Sequence, residues 1–305
     1  MLPHMLALFA AALLAAAPCR PPLDVRGPEI PAAVTAEFAA AAHVAIDDVR
    51  ARLGSESCAP VTITLVPAME DAPQLDPPWH LPSWAAGAAV PRDRRVVVGV
   101  TSNGQVQRRH TTLVHELAHV VSNDAAGGHP LPRWLDEGIA RVVAGEHGAA
   151  DLSVLARARV AGRHFPLAAL ERGFPPGAAD AALAYAEAGR AVSLIEGASP
   201  GGIAAVLARI QQGDDVDAAL VHVTGRAVWQ LDRDVQESVS GFAAFAVLGA
   251  ETDLAMAGCG VVLAVAGLRA RRRNRARLLA LDDDDPARRP GPEAVLARWT
   301  VTSSS

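Results

Sequence analysis

Two histidines and a glutamate in the segment HELAH, residues 115–119, have the spacing of half a metal site. The apolar sequence around them, TTLVHELAHVV, predicts a helix, on which side chains four positions apart lie on one face. His115 and His119 can therefore reach the same tetrahedral ion. Glu116 projects beside the first ligand, where a carboxylate can take a proton from metal-bound water and pass it to a leaving group. The segment predicts a hydrolytic metal site with Glu116 as general base.

A third ligand is expected in the segment PRWLDEGIA, residues 132–140, because a catalytic zinc keeps three protein ligands and one open position. This segment begins the next predicted helix, and an antiparallel pair of helices would return it to the histidines. Glu137, eighteen residues after His119, is the predicted ligand, and Asp136 is the neighbouring alternative. Gly138 allows the close helix approach that suits a crowded metal site. The sequence therefore predicts one Zn²⁺ per chain, held by two imidazoles and one carboxylate.

HELAH followed by WLDEGIA resembles the gluzincin zinc metallopeptidases, in particular the bacterial peptidase MA-like group, over about residues 60–235. The resemblance implies a thermolysin-like zincin domain in which the two histidines and Glu137 bind the metal and Glu116 is the base. It also implies a peptide or protein substrate. That substrate would pair in extended form with the strand at residues 95–100, as the exposed edge of the sheet.

The chain departs from the gluzincin pattern beside the metal site. Some gluzincins place an aspartate one turn after the third ligand to orient a histidine, whereas this chain has Arg141 there. Asn123 and Asp124 are the alternative candidates for that orienting contact. Tyr185, the only tyrosine in the sequence, is the candidate for stabilising the oxyanion of the tetrahedral intermediate. The competing interpretation of Tyr185 is a packed residue of an amphipathic helix.

The elements that must position these residues are two short strands and a series of helices. VTITLVP, residues 61–67, and RVVVGV, residues 95–100, predict the strands, because they are rich in β-branched and apolar residues. Apolar residues at three-and-four spacing predict the helices. The predicted helices cover about residues 31–53, 106–122, 131–145, 151–160, 178–197, 201–212, 214–223 and 225–237. Short strands that feed a mostly helical body predict an α+β fold. The resemblance to a thermolysin-like zincin domain implies that the sheet is small and mixed.

Two apolar segments flank this domain, which is predicted to span residues 27–238. Residues 1–19 have the layout of an export signal, with lipidation at Cys19 and a retained N-terminal anchor as alternatives. Residues 245–268 predict a transmembrane helix, because an arginine-rich run follows at once; a buried core helix is the alternative. Residues 269–305 predict a basic and then disordered cytoplasmic tail. The predicted topology is a single-pass cell-membrane protein with an extracytoplasmic catalytic domain.

The composition excludes several classes of protein and of metal site. The formal net charge of −5 is spread along the chain without a broad basic face, so nucleic acid is not an expected partner. The three cysteines, Cys19, Cys58 and Cys259, predict no disulfide framework. Because Cys58 alone lies in the predicted domain, a structural zinc site built on thiolates is excluded. Any metal is therefore expected to be bound through histidine and carboxylate.

The first hypothesis is a membrane-anchored zinc metallopeptidase that hydrolyses peptide bonds with Glu116 as general base. Two alternatives share its fold: a zinc hydrolase that acts on a non-peptide amide, and a binding or scaffold module without turnover. The intact Glu116 argues against the module, because a protein freed from catalysis has no need of that base.

Overall fold

The computed structural model describes residues 19–75, 85–100, 106–239, 265, 266 and 269. Most of the predicted export signal, the predicted membrane helix and the tail lie outside these described residues. The chain divides into two compact units, Met1–Ala244 and Phe245–Ser305, and the sheet and the helical body belong to the first.

Within the described ranges, a four-stranded sheet forms one layer of the first unit. Its strands are β1 (Leu23–Arg26), β2 (Val61–Val66), β3 (Gly87–Val90) and β4 (Arg95–Gly99). Their order is β1-β2-β4-β3, with β1, β2 and β4 parallel and β3 antiparallel to β4. The sheet is therefore small and mixed, as predicted, although two of its four strands were not predicted.

The strand at residues 95–100 is internal, so the prediction that it forms the exposed edge is wrong. Val96 of β4 pairs with Ile63 of β2 on one side and with Ala89 of β3 on the other. The valines of β4 are buried on both faces of the sheet, which is typical of an internal strand. The outermost strand on this side is β3, whose sequence GAAV contains a single β-branched residue and gives little signal for a strand.

A disulfide joins Cys19, before β1, to Cys58, before β2, with Cα atoms 5.8 Å apart. The cysteines predicted no disulfide framework, and this one bridge corrects that interpretation. The two residues are 39 positions apart, and only the parallel pairing of β1 with β2 brings them together. Sequence spacing alone does not reveal such a pairing. β1 itself begins at Leu23, a few residues before the predicted start of the domain.

Helices form most of the other described residues of this unit and closely follow their predicted bounds. They are α1 (Ala32–Leu53), α2 (Val106–Ala125), α3 (Arg133–Val143), α4 (Ala149–Val160), α5 (Ala178–Ala198), α6 (Gly202–Gln211), α7 (Val216–Thr224) and α8 (Val228–Ser238). Short 3₁₀ turns occur at Met69–Gln74, Pro91–Asp93 and Leu167–Leu170. One apolar core joins the sheet to α1, α2, α3 and α5. The mostly helical α+β architecture is thus confirmed.

Among the described helices, none is by itself long and apolar enough to cross a bilayer. The helices α5 and α6 reach that length and apolar character only together, and the chain bends by 96° at the break between them.

Candidate metal centre

Two neighbouring helices bring the predicted metal ligands together. His115 and His119 lie on α2, and Glu137 lies on α3, which packs against α2. One donor atom from each residue lies within 4.8 Å of the other two. Glu137 Oε2 is 3.5 Å from His115 Nε2 and 3.9 Å from His119 Nε2. Ligands of a tetrahedral ion bound at about 2.0 Å lie roughly 3.3 Å apart, so these three side chains fit a single metal ion.

Apolar packing fixes the position of both helices. Leu113, Leu117 and Val121 of α2 are almost fully buried, which turns the histidines toward α3. Gly138, beside the predicted third ligand, lies against α5. A Cβ at this glycine would lie 2.5 Å from the carbonyl oxygen of Ala188, so only glycine allows α3 to approach α5 this closely. This approach determines where Glu137 meets the histidines.

Asp136, the alternative metal ligand, contacts the other side of a histidine ring. Its Oδ1 lies 2.9 Å from His119 Nδ1, in an ion pair that lacks the alignment of a hydrogen bond. The same oxygen accepts a hydrogen bond of 3.4 Å from Ser122 Oγ. Because Nδ1 is the nitrogen turned away from Glu137, the contact orients the ring and leaves Nε2 free to bind a metal.

Glu146, in the loop after α3, makes the equivalent contact with His115. Its Oε2 lies 2.9 Å from His115 Nδ1. The chain turns back toward the histidine at Gly145, which has the positive φ of 70° that ends many helices. The amide of Glu146 donates to the carbonyl of Arg141 over 2.9 Å, which closes the helix in a Schellman turn. Glu146 thus makes the contact with a histidine ring for which Asn123 and Asp124 were the candidates.

Arg141 supports this turn from the position one turn after Glu137. Its guanidinium donates to the backbone carbonyl of Glu146 over 2.9 Å. The same nitrogen lies 2.8 and 2.9 Å from the two carboxylate oxygens of Asp151 on α4. Arg141 therefore links the loop to α4. Asp151, which lies outside the His-His-Glu cluster, compensates its positive charge.

The carboxylates around the histidines raise the imidazole pKa values against the effect of burial. Burial lowers the pKa of His115, but hydrogen bonds with Glu137 and Glu146 outweigh it and bring the pKa to about 10. Burial also opposes the charge on His119, but Asp136 and Glu137 raise its pKa. Burial raises the pKa of Glu137, yet the two imidazoles outweigh it and bring the value to about 2. The cluster thus favours positive charge between its rings, which is what a bound cation provides.

Glu116 and the three predicted ligands line one cleft, which has a volume of about 450 Å³. Burial raises the pKa of its carboxyl group, which makes the carboxylate a stronger base than an exposed one. An ideal Cβ on Gly87 of β3 would lie 3.0 Å from Glu116 Oε1. The outermost strand of the sheet therefore passes directly against the candidate base.

Tyr185 reaches the cleft from α5. Burial raises the pKa of its hydroxyl to about 12, so the group stays protonated and able to donate near neutral pH. Its ring also packs edge-on against Phe174, with centroids 4.7 Å apart, and the Arg141 guanidinium carbon lies 5.6 Å from its centroid. Tyr185 is therefore packed on a helix and also lines the cleft, and its role as oxyanion donor stays a prediction.

The sequence reasoning missed three parts of this cleft, namely strand β3, Glu146 and Arg133, whose guanidinium pairs with Glu137 Oε1. One signal was available, because Glu146 is the first carboxylate after Glu137 and follows a glycine that ends a helix. The proposed orienting residues were wrong. Asp124 pairs with Arg94, and Asn123 is not among the residues that line the cleft.

Comparison with known proteins identifies the family. No curated protein and no solved structure matches this chain. The model of a family described as the peptidase MA superfamily matches residues 41–241, which is more than half of the chain. The matched region contains α2, α3 and all three residues of the His-His-Glu cluster. The resemblance seen in HELAH and WLDEGIA is thereby confirmed: the chain belongs to the peptidase MA superfamily.

Proposed function

We propose that this protein is a membrane-anchored zinc metallopeptidase of the gluzincin type, with a thermolysin-like catalytic domain. The observation that carries the proposal is the convergence of His115, His119 and Glu137 at one buried point of the cleft. Two imidazoles and one carboxylate, with a fourth position left open, are a donor set of catalytic zinc sites. Zinc bound there would lower the pKa of a water molecule to about 7 and polarise the substrate carbonyl.

The residues around the metal position divide the remaining work. Glu116 accepts the proton of the attacking water and passes it to the leaving nitrogen, a role that its raised pKa favours. Tyr185, kept protonated by burial, donates to the oxyanion of the tetrahedral intermediate. Asp136 and Glu146 hold the two imidazole rings through their Nδ1 atoms.

An extended peptide would bind along β3 rather than along the strand at residues 95–100. β3 is the outermost strand of the described sheet, and its backbone passes against the Glu116 carboxylate. Backbone hydrogen bonds to an outer strand align a peptide whatever its side chains are. The small side chains of Gly87, Ala88 and Ala89 leave the space beside the strand open to a substrate.

The proposal is tested by casein hydrolysis with the full-length chain. We expect activity that a chelator removes and that added zinc restores. Glu116→Gln should keep the metal and lower kcat by about a hundredfold or more, because the general base is lost. Activity that survives Glu116→Gln would remove this mechanism. Bound metal without hydrolysis of any peptide would instead favour the binding module or the non-peptide hydrolase.

We also propose that the catalytic domain is exported and anchored by residues 245–268. The disulfide between Cys19 and Cys58 supports export, because disulfides persist in oxidising compartments. Signal cleavage would then lie before Cys19, since this residue must stay in the mature chain, and its sulfur is not free for lipidation. The arginine-rich run after residue 268 supports a cytoplasmic tail.

Reporter fusions test this topology. Alkaline phosphatase, which needs an oxidising compartment, should be active when fused after residue 239 and inactive when fused after residue 305. Equal activity at both positions would contradict the membrane span between them. Inactivity at both would contradict export.

A further inference from the structure

A groove larger than the catalytic cleft lies at the start of α3. It has a volume of about 890 Å³, and it shares no lining residue with the catalytic cleft. Adjacent residues of the chain nevertheless line the two cavities. Arg133 lines the catalytic cleft, whereas Pro132 and Trp134 on either side of it line the groove. The groove and the catalytic cleft therefore lie on either side of the start of α3.

The floor of the groove is apolar and carries an exposed tryptophan. Leu131, Val216 and Val228 are only partly buried and line it. Trp229, on the first turn of α8, is 65% exposed. The guanidinium carbon of Arg233 lies 5.8 Å from the ring centroid, and the exposed remainder of the ring can contact a partner. Exposed tryptophans beside apolar grooves are typical of sites that bind a partner chain.

Carboxylates surround this apolar floor. Five acidic side chains line the groove, namely Glu171, Asp214, Asp215, Asp217 and Asp232, and Arg172 is the only arginine among the described lining residues. Arg209 compensates one of these charges by pairing with Asp214 over 2.6 Å. Asp215 and Asp217 are exposed and accept backbone N–H groups, which holds their charges at the rim without cancelling them. The groove is therefore complementary to a chain with basic and apolar side chains.

We propose that this groove is a docking site for a segment of the polypeptide substrate that combines arginine or lysine with apolar side chains. Its assignment to the substrate rests on the proposed peptidase function and on the adjacent positions of Pro132, Arg133 and Trp134, which line the groove and the catalytic cleft on either side of the start of α3. The apolar side chains of the segment cover Trp229 and the groove floor. Its cations face the rim carboxylates, so binding weakens as salt screens these charges.

Binding is tested separately from catalysis. The full-length Glu116→Gln protein, kept in a chelator, is titrated with a fluorescein-labelled peptide of twelve residues that alternates Arg and Leu. The same peptide with Glu in place of each Arg is the negative control. We expect saturable binding of the basic peptide, followed by fluorescence anisotropy, and no binding of the acidic one. Failure of the basic peptide to bind would overturn the proposal.

Variants then locate the bound peptide. Combining Glu171→Gln, Asp215→Asn and Asp217→Asn removes three rim charges but keeps an oxygen that can accept each backbone N–H. We expect this triple variant to weaken binding about tenfold or more. Trp229→Ala should weaken it to a similar extent.

A matched triple variant distinguishes the groove from general attraction to an acidic protein. Glu29→Gln, Glu37→Gln and Glu56→Gln remove the same net charge at exposed positions outside the groove. We expect this variant to bind the basic peptide like the parent. Equal weakening by both triple variants would contradict a specific site, as would parent-like binding by the groove variant.

A kinetic experiment with the active enzyme tests the link to the substrate. Two peptides with the same cleaved core are compared, one of which carries a basic and apolar extension. The groove variants should raise KM for the extended peptide and leave both KM and kcat for the core unchanged. If binding to the groove is observed but both peptides respond alike, the groove does not serve the substrate. If no peptide is cleaved at all, the peptidase proposal fails while the binding result still stands.

Discussion

Replacing Gly138 with alanine tests whether the close approach of α3 to α5 sets the geometry of the metal site. The added Cβ would lie 2.5 Å from the Ala188 carbonyl oxygen and 2.7 Å from Val192 Cγ2. The carbonyl is a backbone atom and cannot rotate aside. Ordinary contact begins at 3.4 Å, so α3 must move by the difference, roughly 0.9 Å. Glu137, the adjacent residue, moves with the helix and away from its place beside the histidines.

The cost of this movement follows from overpacking. Forcing one extra methyl group into a packed core costs about 1–3 kcal/mol. For a domain of this size, each kcal/mol of lost stability lowers the Tm by roughly 2–4 °C, so we expect a decrease of about 2–12 °C. A third ligand displaced by most of an ångström should also weaken zinc binding by roughly tenfold or more.

Thermal unfolding measures the first effect, and zinc titration against a chelating dye measures the second. Gly189→Ala is the matched control, because it also adds a methyl group to a helix near the site. Its Cβ would meet nothing closer than Arg141 Nε at 3.6 Å, which is ordinary contact. We expect the control to be neutral or slightly stabilising. A Gly138→Ala protein with the Tm and zinc affinity of the parent would refute the reasoning.

Three further predictions concern the cleft and a buried carboxyl group. Glu146→Gln should weaken zinc binding about 10- to 100-fold by releasing His115, and an unchanged affinity would contradict its orienting role. Gly87→Ala should leave zinc content unchanged and lower kcat by roughly a hundredfold, because its Cβ would lie 3.0 Å from Glu116 Oε1; unchanged kcat would disprove this contact. Burial raises the pKa of Glu187 to about 8, so the stability that its neutral form provides is lost as pH rises toward that value. Glu187→Gln should therefore raise the Tm above pH 8 and change it little near pH 5, and a gain equal at both pH values would contradict the assignment.

The grouping of the candidate metal ligands could be predicted because their geometry is mainly local. The spacing of His115 and His119 puts both rings on one face of a helix, whatever the rest of the fold does. Glu137 needed one further assumption, that the next helix returns antiparallel to the first. The structure satisfies that assumption because α3 packs between α2 and α5, and Gly138 permits the close contact.

The edge strand could not be predicted because its assignment depends on distant residues. GAAV at Gly87–Val90 is a strand only because β4 offers it a backbone to pair with. Its small side chains, which carry no strand signal, are what leave room for Glu116. The Cys19–Cys58 pairing depends in the same way on the register of β1 with β2.

The carboxylates that contact the histidine rings could be predicted only in part. Asp136 was considered only as a ligand, although its position beside Glu137 also brings it to His119 Nδ1. Glu146 reaches His115 through a Schellman turn that Gly145 indicates in the sequence. A search for carboxylates just beyond the end of α3 would have found Glu146.

The central claim is that His115, His119 and Glu137 together hold one catalytic zinc ion. Metal analysis of the purified full-length protein, by mass spectrometry after zinc loading and removal of free metal, tests it most directly. We expect one zinc per chain in the parent and in Asp136→Asn at saturating zinc, and almost none in Glu137→Gln. One zinc per chain in Glu137→Gln, bound as tightly as in the parent, would contradict the account.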